Sequence, residues 1–183
     1  SSDKKNYAFL LTDDIICDNE SVRFVTTDSG SRFFTSADAD NRKSISISNN
    51  KYGAFRVYNG RSLTLAGLDI IEIKYDETSS TSGSAVFYSD YGSLSFNDNN
   101  ELSFVGSRAI ISSNSGTVKF AKNKSVHFEE NGYGITVSVK SLLFQENGDI
   151  SFVKNSLTST NGNNGGAIEA TDTIDFVLNN NLL

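Results

Sequence analysis

The chain has 183 residues, 37% of them hydrophobic and 21% charged, which is enough for one domain with a buried core and too apolar for outright disorder. A net charge of −6 argues against binding a phosphate backbone, and no apolar run is long enough for a membrane-spanning helix. A single cysteine, Cys17, excludes an internal disulfide framework, and a single histidine, His127, leaves little room for zinc or general-base chemistry.

Residues 1–40 carry four strand-like stretches, Tyr7–Leu11, Asp14–Cys17, Val22–Val25 and Arg32–Phe34, at irregular spacing. An open solenoid end exposes core and unpaired backbone, so this region is expected to form an N-terminal cap or distorted first coils. Cys17 follows two isoleucines and reads as a small core or cap residue. Asp38-x-Asp40-Asn41 offers oxygen atoms of the kind Ca²⁺ takes, but Arg42 and Lys43 follow at once and further ligands are missing. A solvated loop is the better reading, and no metal or cofactor site is expected anywhere in the chain. Asp13-Asp14 and Glu129-Glu130 are neighbours in sequence, so strand or turn geometry splays each pair.

From residue 41 onward, apolar residues alternate over four to six positions and then stop at Asn, Gly or Asp, beginning with Ser44-Ile45-Ser46-Ile47-Ser48. No amphipathic helix is evident, so the class is all-β. Phe stands at 96, 104, 120, 128, 144, 152 and 176, and the residue two before each is also apolar: Leu94, Leu102, Val118, Val126, Leu142, Ile150 and Ile174. One strand pair, eight residues apart, therefore recurs every 24 residues, and Leu63/Leu65 with Ile71/Ile73 extend it upstream. A third apolar segment fills the longer gap, at Ala54-Phe55, Ala85-Val86, Ala109-Ile110 and Gly134-Ile135.

Three short strands per 24-residue turn, each coil rising by about 4.8 Å, is the arithmetic of a parallel β-helix. The reading is a right-handed, three-sided parallel β-helix over 41–183, part of a longer protein, with the irregular cap over 1–40. The absence of Met even at position 1, and the abrupt polar ending at Asn179–Leu183, suggest an excised piece. After Phe152, Gly165-Gly166-Ala167-Ile168 is aligned as a third strand preceded by an insertion at 156–164. That alignment puts the two insertions, 76–83 and 156–164, at one corner, between the second and third strands of a coil.

Phe-x-x-Asn occurs at Phe96/Asn99, Phe120/Asn123, Phe128/Asn131, Phe144/Asn147, Phe152/Asn155 and Phe176/Asn179, and Gly165, Gly166, Ala167 and Ile168 make a full GGAI. Physically these motifs build scaffold. The Phe stacks inward, the Asn sits at the corner, where it tolerates left-handed geometry and can satisfy turn backbone, and Gly-Gly-Ala permits a tight bend. Replacing one such Asn by Ala is expected to cost about 1–2 kcal/mol.

Paired GGA(I/L/V) and FxxN motifs resemble the chlamydial polymorphic membrane proteins over about residues 50–179. That resemblance implies a β-helical autotransporter passenger that acts as an adhesin, at the bacterial outer membrane or secreted, with a translocator barrel outside this chain. The partner implied is a host cell-surface protein or glycan.

Parallel β-helices also host polysaccharide lyases and hydrolases, which need carboxylates converging on a groove. Outward positions here are Ser95, Ser103, Lys119, His127, Ser151 and Asp175, with no carboxylate column, so no active site is read and no enzyme is expected. The candidate binding residues are those of the two insertions, Asp76, Thr78, Ser80 and Thr81 in one, and Thr158, Thr160, Asn161, Asn163 and Asn164 in the other. A carbohydrate-active enzyme and a non-binding stalk are the alternatives. Self-association through the β-helix ends is a further expected contact.

Overall fold

A computed structural model describes residues 5–18, 24–25, 30–48, 55–57, 60–74, 87–106, 111–114, 116–131, 135–155 and 168–183. Among them there is no helix, and eighteen strands follow in order. These are β1 (Tyr7–Leu11), β2 (Ile15–Cys17), β3 (Phe24–Val25), β4 (Arg32–Ser36), β5 (Ile45–Ile47), β6 (Phe55–Val57), β7 (Ser62–Ala66), β8 (Ile70–Lys74) and β9 (Phe87–Asp90). They continue with β10 (Ser93–Asn97), β11 (Glu101–Val105), β12 (Ile111–Asn114), β13 (Thr117–Ala121), β14 (Ser125–Glu129), β15 (Ile135–Gln145), β16 (Asp149–Val153), β17 (Ile168–Val177) and β18 (Asn181–Leu182).

Every pairing is parallel, and each strand pairs with the third strand on in sequence, save where long strands merge. The pairings fall into three runs. The first joins β1, β4, β7, β10, β13 and the second half of β15, and the second joins β2, β5, β8, β11, β14, β16 and β18. The third joins β3, β6, β9, β12 and the first half of β15. Because β15 belongs to two runs, the strands make one sheet of eleven and one of seven. This is a stacked, solenoid-like all-β fold. The described part of residues 1–40 enters the same runs, Phe9 lying opposite Phe34 and Cys17 opposite Ile47.

The 24-residue period becomes the stacking register. Phe96, Phe120 and Phe144 lie opposite one another in successive coils, as do Phe104, Phe128 and Phe152. Parallel pairing in register places like on like, so each ring lies flat on the next. Phe96, Phe120 and Phe144 stack at 4.9 Å, and Phe104 on Phe128 at 5.0 Å, with interplanar angles of 7–8°. The two columns meet edge to face, Phe120 on Phe128 at 5.8 Å and 89°. Both geometries suit the ring quadrupole. The expected inward residues Leu63, Leu65, Ile71, Ile73, Leu94, Leu102, Val118, Val126, Leu142 and Ile150 complete the core.

Ile168 pairs with Ile135 and Phe176 with Phe144, so the alignment that places an insertion before Ile168 is the one the chain adopts. One register differs from expectation. Phe55 lies opposite Phe87 and not Val86, a slip of one residue. Phe55 and Val57 both point inward, and Ala54-Phe55 alone could not reveal which neighbour of Val86 continued that column.

Candidate interaction surface

Of the corners that join the three runs, two behave oppositely: the one from the first run to the second and the one from the second to the third. Between the first and second runs the links are 12–14, 67–69, 98–100, 122–124, 146–148 and 178–180, identical in length, with one longer link at 37–44. The FxxN motif builds this short corner. The left-handed residue is the one before the Asn: Asp98, Lys122, Glu146 and Leu178 have φ of 53–57°, and Gly67 takes the same place at φ 61°. The left-handed geometry that the Asn would tolerate thus falls one residue earlier.

The left-handed turn swings the Asn inward. Asn99, Asn123 and Asn147 are buried polar side chains, 1% exposed, in a column beside the Phe stack. In each, the backbone N–H and Nδ2 both donate to Oδ1 of the Asn one coil on. Asn99 donates to Asn123 at 3.1 and 3.0 Å, Asn123 to Asn147 at 3.1 and 2.9 Å, and Asn147 to Asn179 at 3.0 Å twice. The second Nδ2 hydrogen reaches back to the carbonyl of Leu65, Phe96, Phe120 or Phe144. Leu68 stands where the motif would have Asn, and its N–H closes the column on Asn99 Oδ1 at 3.0 Å. A buried amide is tolerated because both its donors and its acceptor are used.

The links between the second and third runs vary. They are 18–23, 48–54, 75–86, 106–110, 130–134 and 154–167. A second Asn column fixes where the last two depart. Asn131 N and Nδ2 donate to Asn155 Oδ1 at 3.1 and 2.9 Å, and Asn155 Nδ2 donates to Phe128 O at 2.9 Å. Beside that departure Lys154 Nζ donates to Glu130 Oε1 at 3.1 Å. That hydrogen bond, with the charges of Glu130 and Glu129, holds the Lys154 amine above the ordinary lysine range. On the return side, Ile168 packs against the core. The varied links therefore leave a rigid frame.

Asp76, Thr78, Ser80 and Thr81, and Thr158, Thr160, Asn161, Asn163 and Asn164, lie outside the described residues, as do Gly165, Gly166 and Ala167. The structure fixes the stems, Lys74 with Phe87 and Asn155 with Ile168, but not the contacts of these side chains.

His127 faces outward in a column with Glu72, Ser103 and Ser151, its Nδ1 2.6 Å from Ser151 Oγ. Cys17 is a buried free thiol in the core cluster. Around the Asp38 loop, Asp38 Oδ1 accepts from Asp40 N at 2.9 Å, and Arg42 reaches Asp98 with an Nη2–Oδ2 distance of 3.1 Å. Asp14 Oδ1 accepts from Ser44 N at 2.8 Å while Asp13 Oδ2 accepts from Thr12 Oγ1, so the two carboxylates are committed in different directions. Compared with known proteins, the chain has no significant match among family models, curated sequences or solved structures.

Proposed function

We propose that this chain is a segment of a surface-displayed autotransporter passenger, a right-handed, three-sided parallel β-helix that binds a host cell-surface protein or glycan through loops on one corner. The observation that carries this reading is the contrast between corners. One keeps links of a single length everywhere but at 37–44, with the Asn99–Asn123–Asn147 column and the in-register Phe stacks beside it, whereas the other admits links from 106–110 up to 154–167. A rigid frame that tolerates length change at one edge is the arrangement in which recognition is carried by loops. The two longest links, 75–86 and 154–167, leave coils three apart, hence about 15 Å apart along the stack at about 4.8 Å per coil. The FxxN motifs, which build the short corner, and the GGAI at positions 165–168 of the sequence support the likeness to chlamydial passengers.

To test this, both long links are shortened to the length of 106–110, with circular dichroism and melting used to establish that the variant folds. Adhesion to host cells is then measured, and loss of adhesion at unchanged melting is the expected result. A folded double variant that adheres as well as the parent would refute the corner as the binding edge and leave a stalk. Cleavage of surface glycans by the intact chain would replace the adhesin reading with a carbohydrate-active enzyme.

A further inference from the structure

Asn is followed by Gly at 59–60, 131–132, 147–148, 161–162 and 164–165. Such a pair loses the Asn amide readily, because no side chain on the second residue hinders attack of its backbone nitrogen on the carboxamide. Of these pairs, Asn147-Gly148 lies wholly within the described residues, and there it is built into the core.

The fold uses both members. Asn147, 1% exposed, accepts at Oδ1 from the N–H and the Nδ2 of Asn123, and its Nδ2 donates to Asn179 Oδ1 and Phe120 O, each at 3.0 Å. Gly148 has no room for a side chain, since a Cβ there would collide with the backbone carbonyl oxygen of Lys124. That oxygen accepts from Asp149 N at 3.1 Å, so it cannot give way without losing a bond between coils. Elsewhere in this column Asn99 and Asn123 are followed by Asn100 and Lys124, which leaves the labile pair in one coil.

The same contacts block the reaction. Deamidation requires the Gly148 nitrogen to give up its proton and bond to Asn147 Cγ, breaking the Cγ–Nδ2 bond and releasing ammonia. Water then opens the succinimide to aspartate or isoaspartate. In the fold, Gly148 N–H donates to Asn123 O at 2.8 Å, and the carboxamide is held at Oδ1 and through both Nδ2 hydrogens. Neither product fits the column. A buried carboxylate has no hydrogens for Asn179 Oδ1 and Phe120 O, and isoaspartate adds a methylene to the backbone of the link 146–148.

We infer that Asn147-Gly148 is a spontaneous deamidation site that reacts in the unfolded chain and is shielded in the folded one. Time spent unfolded is thereby converted irreversibly into loss of the ability to refold. This holds whatever the chain binds.

To test it, the chain is held at mildly alkaline pH in native buffer and in guanidinium chloride, with circular dichroism establishing the folded and unfolded states. Mass spectrometry then follows the tryptic peptide 141–154, in which Asn147 is the sole Asn, beside peptide 57–61, which carries Asn59. In denaturant the two should convert at similar rates. In native buffer, peptide 141–154 should convert at least about a hundredfold more slowly than in denaturant, because reaction there requires local opening. After dilution from denaturant, the refolded monomer isolated by gel filtration should retain Asn147 as the amide, with the converted form left in the misfolded fraction. An encoded Asn147→Asp variant should likewise refold in lower yield than the parent. Equal conversion of peptide 141–154 in the two conditions, or none in denaturant, would overturn the inference. So would a refolded fraction carrying converted Asn147 in the same proportion as the whole sample, or an Asn147→Asp variant that refolds as fully as the parent.

Discussion

The buried Asn column makes Asn123→Ala the most informative single change. Asn123 Oδ1 accepts from both the N–H and the Nδ2 of Asn99, and Asn123 Nδ2 donates to Asn147 Oδ1 and to Phe96 O. Truncation leaves two donors of Asn99 and the carbonyl of Phe96 without that partner, all in a site 1% exposed. Asn147 Oδ1 keeps the Asn123 backbone N–H, so it is the least affected.

A buried polar group left unpaired costs roughly 1–3 kcal/mol, and water entering the space left by the amide recovers part of it, so the change should cost about 3–5 kcal/mol. That exceeds the about 1–2 kcal/mol expected of an amide serving turn backbone alone. Asn155→Ala is the internal control. It makes the same type of contacts but is less deeply buried than Asn123, so water can take part of the amide's place and about 1–2 kcal/mol should be lost. Urea unfolding followed by circular dichroism measures both. If Asn123→Ala proved no more costly than Asn155→Ala, the argument that burial of a continuous amide column sets the energy would fail.

Asn123→Asp sharpens the same point. The carboxylate keeps the acceptor but turns an oxygen toward Asn147 Oδ1 and Phe96 O, and burial raises its folded-state pKa. The folded state then binds the extra proton, so the variant's deficit should shrink as pH falls below the folded pKa and grow as pH rises through it. Phe120→Ala removes a ring stacked at 4.9 Å on both sides and should cost about 3–5 kcal/mol in the same unfolding assay. Lys122→Gly relieves a left-handed lysine at φ 57°. With about 1–2 kcal/mol of strain removed against about 0.5–1 kcal/mol of added chain entropy, a small net gain in stability is expected. Lys154 carries its favourable interaction fully below the ordinary lysine pKa and loses it as pH rises through the raised folded value. Its amine should therefore titrate at lower pH in Glu130→Gln, as followed by NMR.

The sequence by itself determined the class, the stacking period and the inward residues. In a solenoid a fixed sequence separation is a fixed spatial neighbour, so 24-residue spacing of Phe96, Phe120 and Phe144 states directly which rings touch. It also placed the two longest insertions, 76–83 and 156–164, at one corner, because both fall between a second-run and a third-run strand. What required tertiary structure was how the polar motif works. That the residue before each Asn is left-handed, and that the Asn then turns in to join its neighbours, depends on backbone torsions and on amides a full coil away. Nothing local distinguishes an Asn serving its own turn from one serving the next coil.

The register at Phe55 and Phe87 was likewise undetermined, because two adjacent apolar residues satisfy a period-two pattern equally and only the neighbouring coils choose between them. Near the start, Tyr7, Phe9, Ile15 and Cys17 carry the eight-residue spacing, but Arg32 in an inward column and the longer link at 37–44 hide its continuation. Arg32 is accommodated there because its guanidinium lies over the Tyr7 ring at 4.4 Å and donates to the carbonyls of Gly30 and Ser31. A charged residue in a core column is legible only once the partners that compensate it are in place.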